Sequence, residues 1–342
     1  MVDPSPAVLD DAVARTREAL TRMGAPDRLA APLVAVLGPD AAARLTADPW
    51  QLLELSSVTP RQADFCARTL LGAAARPDDP RRVRALVVRL VRRAAREGHT
   101  AVEYARVARA LRSLGVTAPD AAGQAAAEDD RVRLIEDMPE EGDDSEFDGD
   151  LPEPPAPDRF LALASLGEAE QRLARELVRL TASEPIMDSA TAAETVQAAA
   201  EKAGHDPAPE LVAALVTVAL RGVTVVVAGP AAQEALLATI RYAAAIAVES
   251  QTGMALLTPQ ASGAAALNRV LAEEGIRART VAAALDDHAL AECGLVVVDR
   301  ATALDTETFA ALAAACPGHA HLVLLADPAQ LPSAGPGQVV AD

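Results

Sequence analysis

The chain has 342 residues, of which 51% are hydrophobic and only 2% aromatic, with a formal net charge of −18. That length predicts two or three domains with sizeable cores; Arg221 and Arg241 break the longest apolar stretches and the first residues are acidic, so neither a membrane span nor a secretory signal is expected. Cys66, Cys293 and Cys316 lie far apart, in an odd number and without a CxxC pair, which excludes a disulfide scaffold and points to reduced thiols in a cytoplasm.

Charge is spread unevenly along the chain. Over residues 61–112 thirteen arginines stand against five acids, whereas over residues 128–158 fourteen acids stand against Arg131 and Arg133. A basic region is therefore hidden inside an acidic molecule. Residues 1–136 read as helical: Leu29, Leu33, Val36 and Leu37 recur at helical spacing, and the Asp48-Pro49 pair ahead of Leu52, Leu53 and Leu55 suits a helix start. From Pro80 onward Val83, Leu86, Val87, Leu90 and Val91 form an apolar stripe, with Arg82, Arg84, Arg89, Arg92, Arg93 and Arg96 beside or opposite it, and Gly98 ends that helix.

Residues 137–158 combine like charges, Pro and Gly with almost nothing to bury, which predicts a disordered acidic linker between two independently folded pieces. The other reading of such a run is a DNA-mimicking or partner-binding segment. Residues 159–204 read as a helical connector, amphipathic over 161–180. In residues 205–342 helical stretches alternate with apolar strands at 223–227, 254–258, 295–299 and 321–326. This alternation predicts an α/β lobe with a parallel, doubly wound sheet of about five strands, whose carboxyl ends hold any ligand chemistry.

Those strand ends carry the motifs. VTVVVAGPAAQEALLATI (223–240) is a strand, a Gly-Pro turn and a helix; LVVVDRATALD (295–305) is a strand ending in Asp299; LVLLADPAQLPSAGPGQVVAD (322–342) follows the last strand. The last resembles the GDPxQLPSxGPGxV segment of the RecD-like DNA helicases of superfamily 1, and the other two fall where that family keeps its Walker A and Walker B motifs. MALLTPQASGAAALNRVLAEEGIRARTVAAAL (254–285) is similar to the family's segment after the second strand. DPWQLLELSSVTPRQAD (48–64) and DDPRRVRALVVRLVRRAAREGHT (78–100) resemble its helix-hairpin-helix region. The resemblance runs from about Met23 to the C-terminus apart from the acidic stretch, and implies a helical helix-hairpin-helix domain followed by a P-loop NTPase (RecA-like) lobe.

The departures from the family pattern decide the chemistry. A phosphate loop, G-x-x-x-x-G-K-[ST], needs glycines that let backbone N–H groups converge on phosphates, a Lys to neutralise them and a hydroxyl for Mg²⁺. Here Ala228, Gly229, Pro230, Ala231, Ala232, Gln233, Glu234 and Ala235 occupy the eight positions, so an acid stands where the lysine belongs. The chain's single lysine, Lys202, lies elsewhere, and Arg300 follows Asp299 where the family has the glutamate that activates water. Asp327 and Gln330 remain; the resemblance implies coupling of nucleotide state to motion, while the residues alone suit a strand-to-turn path. Gly229, Pro230, Gln233, Glu234, Asp299, Asp327 and Gln330 thus form a degenerate nucleotide site, with no cofactor expected. ATP and Mg²⁺ enter only under the alternative reading.

The hairpin is eroded as well. Helix-hairpin-helix turns hold the DNA backbone through N–H groups of a Gly-hydrophobic-Gly turn, and Ser57, Val58 and Thr59 stand there instead, followed by Pro60 and Arg61. Hydroxyls of Ser57 and Thr59 with Arg61, Arg82, Arg89 and Arg93 are the candidate DNA contacts; a purely structural turn, with the arginines paired to the acidic stretch, is the competing reading. Cys316, His319 and His321 lack an evident fourth ligand, so no metal site is expected. Trp50 and Phe65 stand at helix-core spacings and read as packing residues, with base stacking as the competing reading. The reading is therefore a catalytically inactive pseudo-helicase that binds DNA or scaffolds a DNA-processing complex, with a protein partner and no membrane. The alternative is an ATP-dependent DNA helicase, or a fragment of one, completed by a second lobe or a partner subunit.

Overall fold

The computed structural model describes residues 6–119, 130–137, 157–204, 206–228, 233–327 and 329–340. The chain forms two compact units, Met1–Ala95 with Ala101–Ala164, and Arg96–Thr100 with Ser165–Asp342.

In the first unit the helices are α1 (Pro6–Met23), α2 (Ala30–Leu37), α3 (Ala41–Ala47), α4 (Pro60–Leu71), α5 (Pro80–Arg96) and α6 (Tyr104–Ser113), with a 3-10 helix at Pro49–Glu54. Their starts follow from local chemistry. The Asp48 carboxylate accepts the Trp50 N–H at 3.0 Å, and Thr59 and Gln62 form a reciprocal capping box with Pro60 at the first helical position. The core between them is aliphatic, built from Leu20, Leu33, Leu45, Leu52, Leu86 and Leu111 around Trp50.

The unit is not all-helical as predicted. It also contains an antiparallel sheet of β1 (Ala101–Glu103), β2 (Val132–Asp137) and β3 (Asp158–Leu163), in the order β1-β3-β2. β2 and β3 pair over six positions, from Val132 opposite Leu163 to Asp137 opposite Asp158. The residues at 161–163, expected to start an amphipathic helix, belong to β3, and the helix begins at Ala164. Asp137 and Asp158, at the two ends of the acidic stretch, therefore lie opposite each other in paired strands of the first unit, and the division between the units downstream of them falls at Ala164–Ser165. Residues 138–156 of that stretch lie outside the described residues.

The second unit contains α7 (Ala164–Thr181), α8 (Ser189–Ala203), α9 (Pro209–Leu220), β4 (Val223–Val227), α10 (Gln233–Glu249), β5 (Gly253–Thr258), α11 (Ala261–Val270), β6 (Ala278–Thr280), α12 (Val281–Asp286), β7 (Cys293–Val298), α13 (Thr306–Ala315) and β8 (His321–Ala326). The five strands form a wholly parallel sheet in the order β4-β8-β7-β5-β6. Alternate residues feed two cores. Leu256, Val297, Val323 and Leu325 pack on the face covered by Val196, Leu215 and Ile240; Leu257, Val296, Val298, Leu322 and Leu324 pack on the other with Leu180, Phe309 and Leu312. Among the described residues no single helix is long and apolar enough to cross a membrane.

Candidate functional site

Asp299 follows β7, and Asp327 and Gln330 follow β8, two neighbouring strands of the second unit's sheet, so all three lie at its carboxyl ends. The Asp299 N–H donates to the Leu257 carbonyl at 2.8 Å, which sets Asp299 beside Thr258. Asp299 is buried, and burial pushes its carboxyl up against the weaker pull of the Arg300 charge. Arg300 itself adopts a left-handed backbone, φ 56°, and its Nε lies 3.5 Å from Asp299 Oδ2. Thr258 Oγ1 and Gln330 Oε1 are both buried with no hydrogen-bond partner among the described residues. Asp327 closes a tight turn, its Oδ1 accepting the Ala329 N–H at 2.9 Å and its carbonyl accepting the Gln330 N–H at 3.0 Å. Gly229 and Pro230 lie outside the described residues, as does the side chain of Gln233; Glu234 is exposed in the first turn of α10.

The segment after Gln330 is a packing strap. The Pro336 carbonyl accepts the Thr306 N–H at 3.0 Å, and the Gly337 N–H donates to the Gly98 carbonyl at 2.9 Å. The GPG and EGHT pieces, the latter within residues 96–100 of the second unit, thus touch each other. Cys316 and His321 are held for structural ends. Burial pushes the Cys316 thiol up to about 12, and the His321 ring nitrogens lie 2.7 Å from the Val218 carbonyl and 2.9 Å from that of Glu184.

In the first unit the hairpin turn runs from Leu55 to Thr59. Val58 is buried, whereas Ser57 and Thr59 are exposed. The Thr59 N–H donates to Gln62 Oε1 at 2.8 Å, its hydroxyl does so at 2.9 Å, and its φ of −84° is ordinary extended backbone. The capping box thus uses the groups that the sequence offers to a phosphate at Thr59.

Arg82 corrects the expectation most clearly. It is 5% exposed, with Nε 2.7 Å and Nη2 2.9 Å from Asp64, and further bonds to the Pro77 carbonyl at 2.7 Å and the Leu114 carbonyl at 2.8 Å. A guanidinium with these partners is an internal strut, not a DNA contact. Asp64 also accepts the Trp50 Nε1–H at 2.9 Å. Burial pushes the Asp64 carboxyl up, but the Arg82 and Trp50 hydrogen bonds outweigh it and hold the group below its ordinary value. Arg89 is half-buried and donates to the Leu55 and Ser56 carbonyls at 3.4 and 3.3 Å, bracing the turn from behind. One helical turn on, Arg92 bonds the buried Glu54 carboxylate, which Arg131 also engages.

Arg61 and Arg93 are exposed, as are Arg68, Arg76, Arg106, Arg109 and Arg112, which the sequence reading did not single out. A signal existed for the last three. They recur every third residue opposite Val107 and Leu111, which are buried. Phe65, predicted to pack in a core, is 55% exposed, whereas Trp50 is buried as expected.

A family model described as the ATP-dependent RecD2 DNA helicase HHH domain matches residues 10–101. A second, described as an AAA domain, matches residues 212–342. No curated protein matches the chain. The first match covers the hairpin and its helices, and the second covers the parallel sheet with its strand-end residues. A RecD2-type helix-hairpin-helix domain is thus followed on one polypeptide by a P-loop NTPase α/β lobe, the domain order of a RecD-like DNA helicase.

Proposed function

We propose that the chain is a catalytically inactive relative of these helicases, a pseudo-helicase that binds DNA through its first unit and serves a DNA-processing complex together with a protein partner. The observation that carries this reading is the phosphate-loop sequence, in which Glu234 and Ala235 take the places of the lysine and the metal-holding hydroxyl. The residues do not fit Mg-ATP. Glu234 repels phosphate, Arg300 replaces the acid that would activate water, and burial disfavours the charged form of Asp299. DNA binding is supported by the matched HHH domain and by the exposed arginines of α4 and α6.

A second reading, an active motor completed by another lobe or subunit, draws on Asp299 and on the unpartnered Gln330 Oε1 at the strand ends. Phosphate release from ATP by the full chain, with and without single-stranded DNA, separates the two. The expected result is no release above buffer, with Asp299→Ala and Glu234→Lys each changing nothing. Steady DNA-stimulated release that Asp299→Ala abolishes would overturn the inactive reading and establish the second.

A further inference from the structure

Helix α4 follows the hairpin turn directly, and its outer face carries an unusual trio. Arg61, Phe65 and Arg68 recur at spacings of four and three, so they share one face of the helix. All three are exposed, Phe65 at 55%. This is an uncommon use of an aromatic in this chain. Trp50, Tyr104, Tyr242 and Phe309 are all buried, none above 8% exposed, and Phe160 is half-buried. The Phe65 ring rests against the end of α1, where a Cβ on Gly24 would come within 3.3 Å of Cε1, so the ring is backed by protein while much of its surface faces solvent. The single acid of α4, Asp64, is committed to Trp50 and Arg82. Neither Arg61 nor Arg68 forms a hydrogen bond or ion pair with a described side chain, so α4 presents a ring flanked by two cations.

We propose that this face is a stacking platform for an unpaired nucleotide, with Phe65 under the base and Arg61 and Arg68 on the adjoining phosphates. The chemistry matches the general requirement of single-strand sites, an aromatic surface for a base within a positive track for the backbone. It deepens the DNA-binding reading, on which it rests, by naming the form of DNA recognised: a duplex with a single-stranded tail rather than a blunt duplex. Phosphate contacts alone give no preference for a tail, because the duplex already offers the denser row of backbone charge. A protein partner seated on the same face would bury the ring as an apolar anchor instead.

The test uses the full chain and two oligonucleotides, a blunt duplex and the same duplex with a tail containing 2-aminopurine next to the junction. Phe65→Ala is expected to weaken tailed-duplex binding by about 5- to 150-fold, the range that stacking of one base supplies, and to leave blunt-duplex binding unchanged. Phe65→Tyr and Phe65→Trp should keep both the affinity and the 2-aminopurine quenching, whereas Phe65→Leu should keep neither. Because the side chain is more than half exposed, these variants are expected to fold like the wild type. Undiminished tailed-duplex binding by Phe65→Ala would overturn the platform while leaving the DNA-binding reading intact, and rescue by Leu as good as that by Tyr would mark a plain apolar contact and overturn it too. A wild-type chain that binds neither oligonucleotide would overturn the DNA-binding reading and the platform together.

Discussion

Replacing Asp64 by alanine is expected to destabilise the first unit by about 3 to 5 kcal/mol, the scale for stripping one partner from a buried ion pair. The Arg82 guanidinium would be left 5% exposed with its two carboxylate bonds gone, and Trp50 Nε1–H would lose its acceptor at the same time. The effect is readable directly, since Trp50 is the only tryptophan and reports its own neighbourhood by fluorescence during urea unfolding. The same pair predicts a pH dependence. The folded-state pKa of Asp64 lies below its unfolded value, so the stability it contributes is fully present above about pH 4 and is lost as pH falls through the folded value. In Asp64→Ala this acid-dependent loss should shrink. A destabilisation below about 1 kcal/mol, the size of an exposed pair, would contradict the internal-strut role of Arg82.

Gly337→Ala is expected to cost the second unit about 2 to 4 kcal/mol. Gly337 has φ +93°, a backbone disfavoured for residues with a side chain, and an added Cβ would meet Thr306 Oγ1 at 1.9 Å and Thr100 Cγ2 at 3.3 Å. Gly275→Ala is the control. Its φ is +73° but nothing lies within 4 Å of the added Cβ, so only the backbone cost of about 1 to 2 kcal/mol applies. Equal losses in the two variants, read as thermal midpoints of the full chain, would mean that the strap does not grip Thr306. A larger loss in Gly337→Ala supports the view that PSAGPG persists here as packing.

The sheet was the most legible part of the sequence. The strands at 223–227 and 321–326 appear with the predicted bounds, and β5 and β7 differ by two residues or fewer, because buried parallel strands are continuous apolar runs. β6 escaped notice because ART has no such run; it forms by pairing with β5 at the edge. β2 and β3 escaped for a different reason. VRLIED and DRFLAL sit among acids, and what makes them strands is their mutual register, a contact between residues far apart in sequence. The candidate site was half legible. Phosphate-loop chemistry is a property of residue identity and needs no coordinates. Which arginines face solvent depends on the fold, and counting charges along the chain cannot tell Arg82, buried and held by Asp64, from exposed Arg61. Phe65 was misjudged because helical periodicity gives a spacing but not the partner that covers it.

The DNA-binding claim is tested most directly by the salt dependence of tailed-duplex binding to the full chain. With a net charge of −18, any binding has to come from the local field of the first unit's exposed arginines. Three to five phosphate contacts predict a log–log slope of roughly −3 to −5 with little dependence on sequence, and Arg61→Gln should reduce it by about 1. A chain that shows no binding even at low salt, or binds with a slope near zero, would contradict the account.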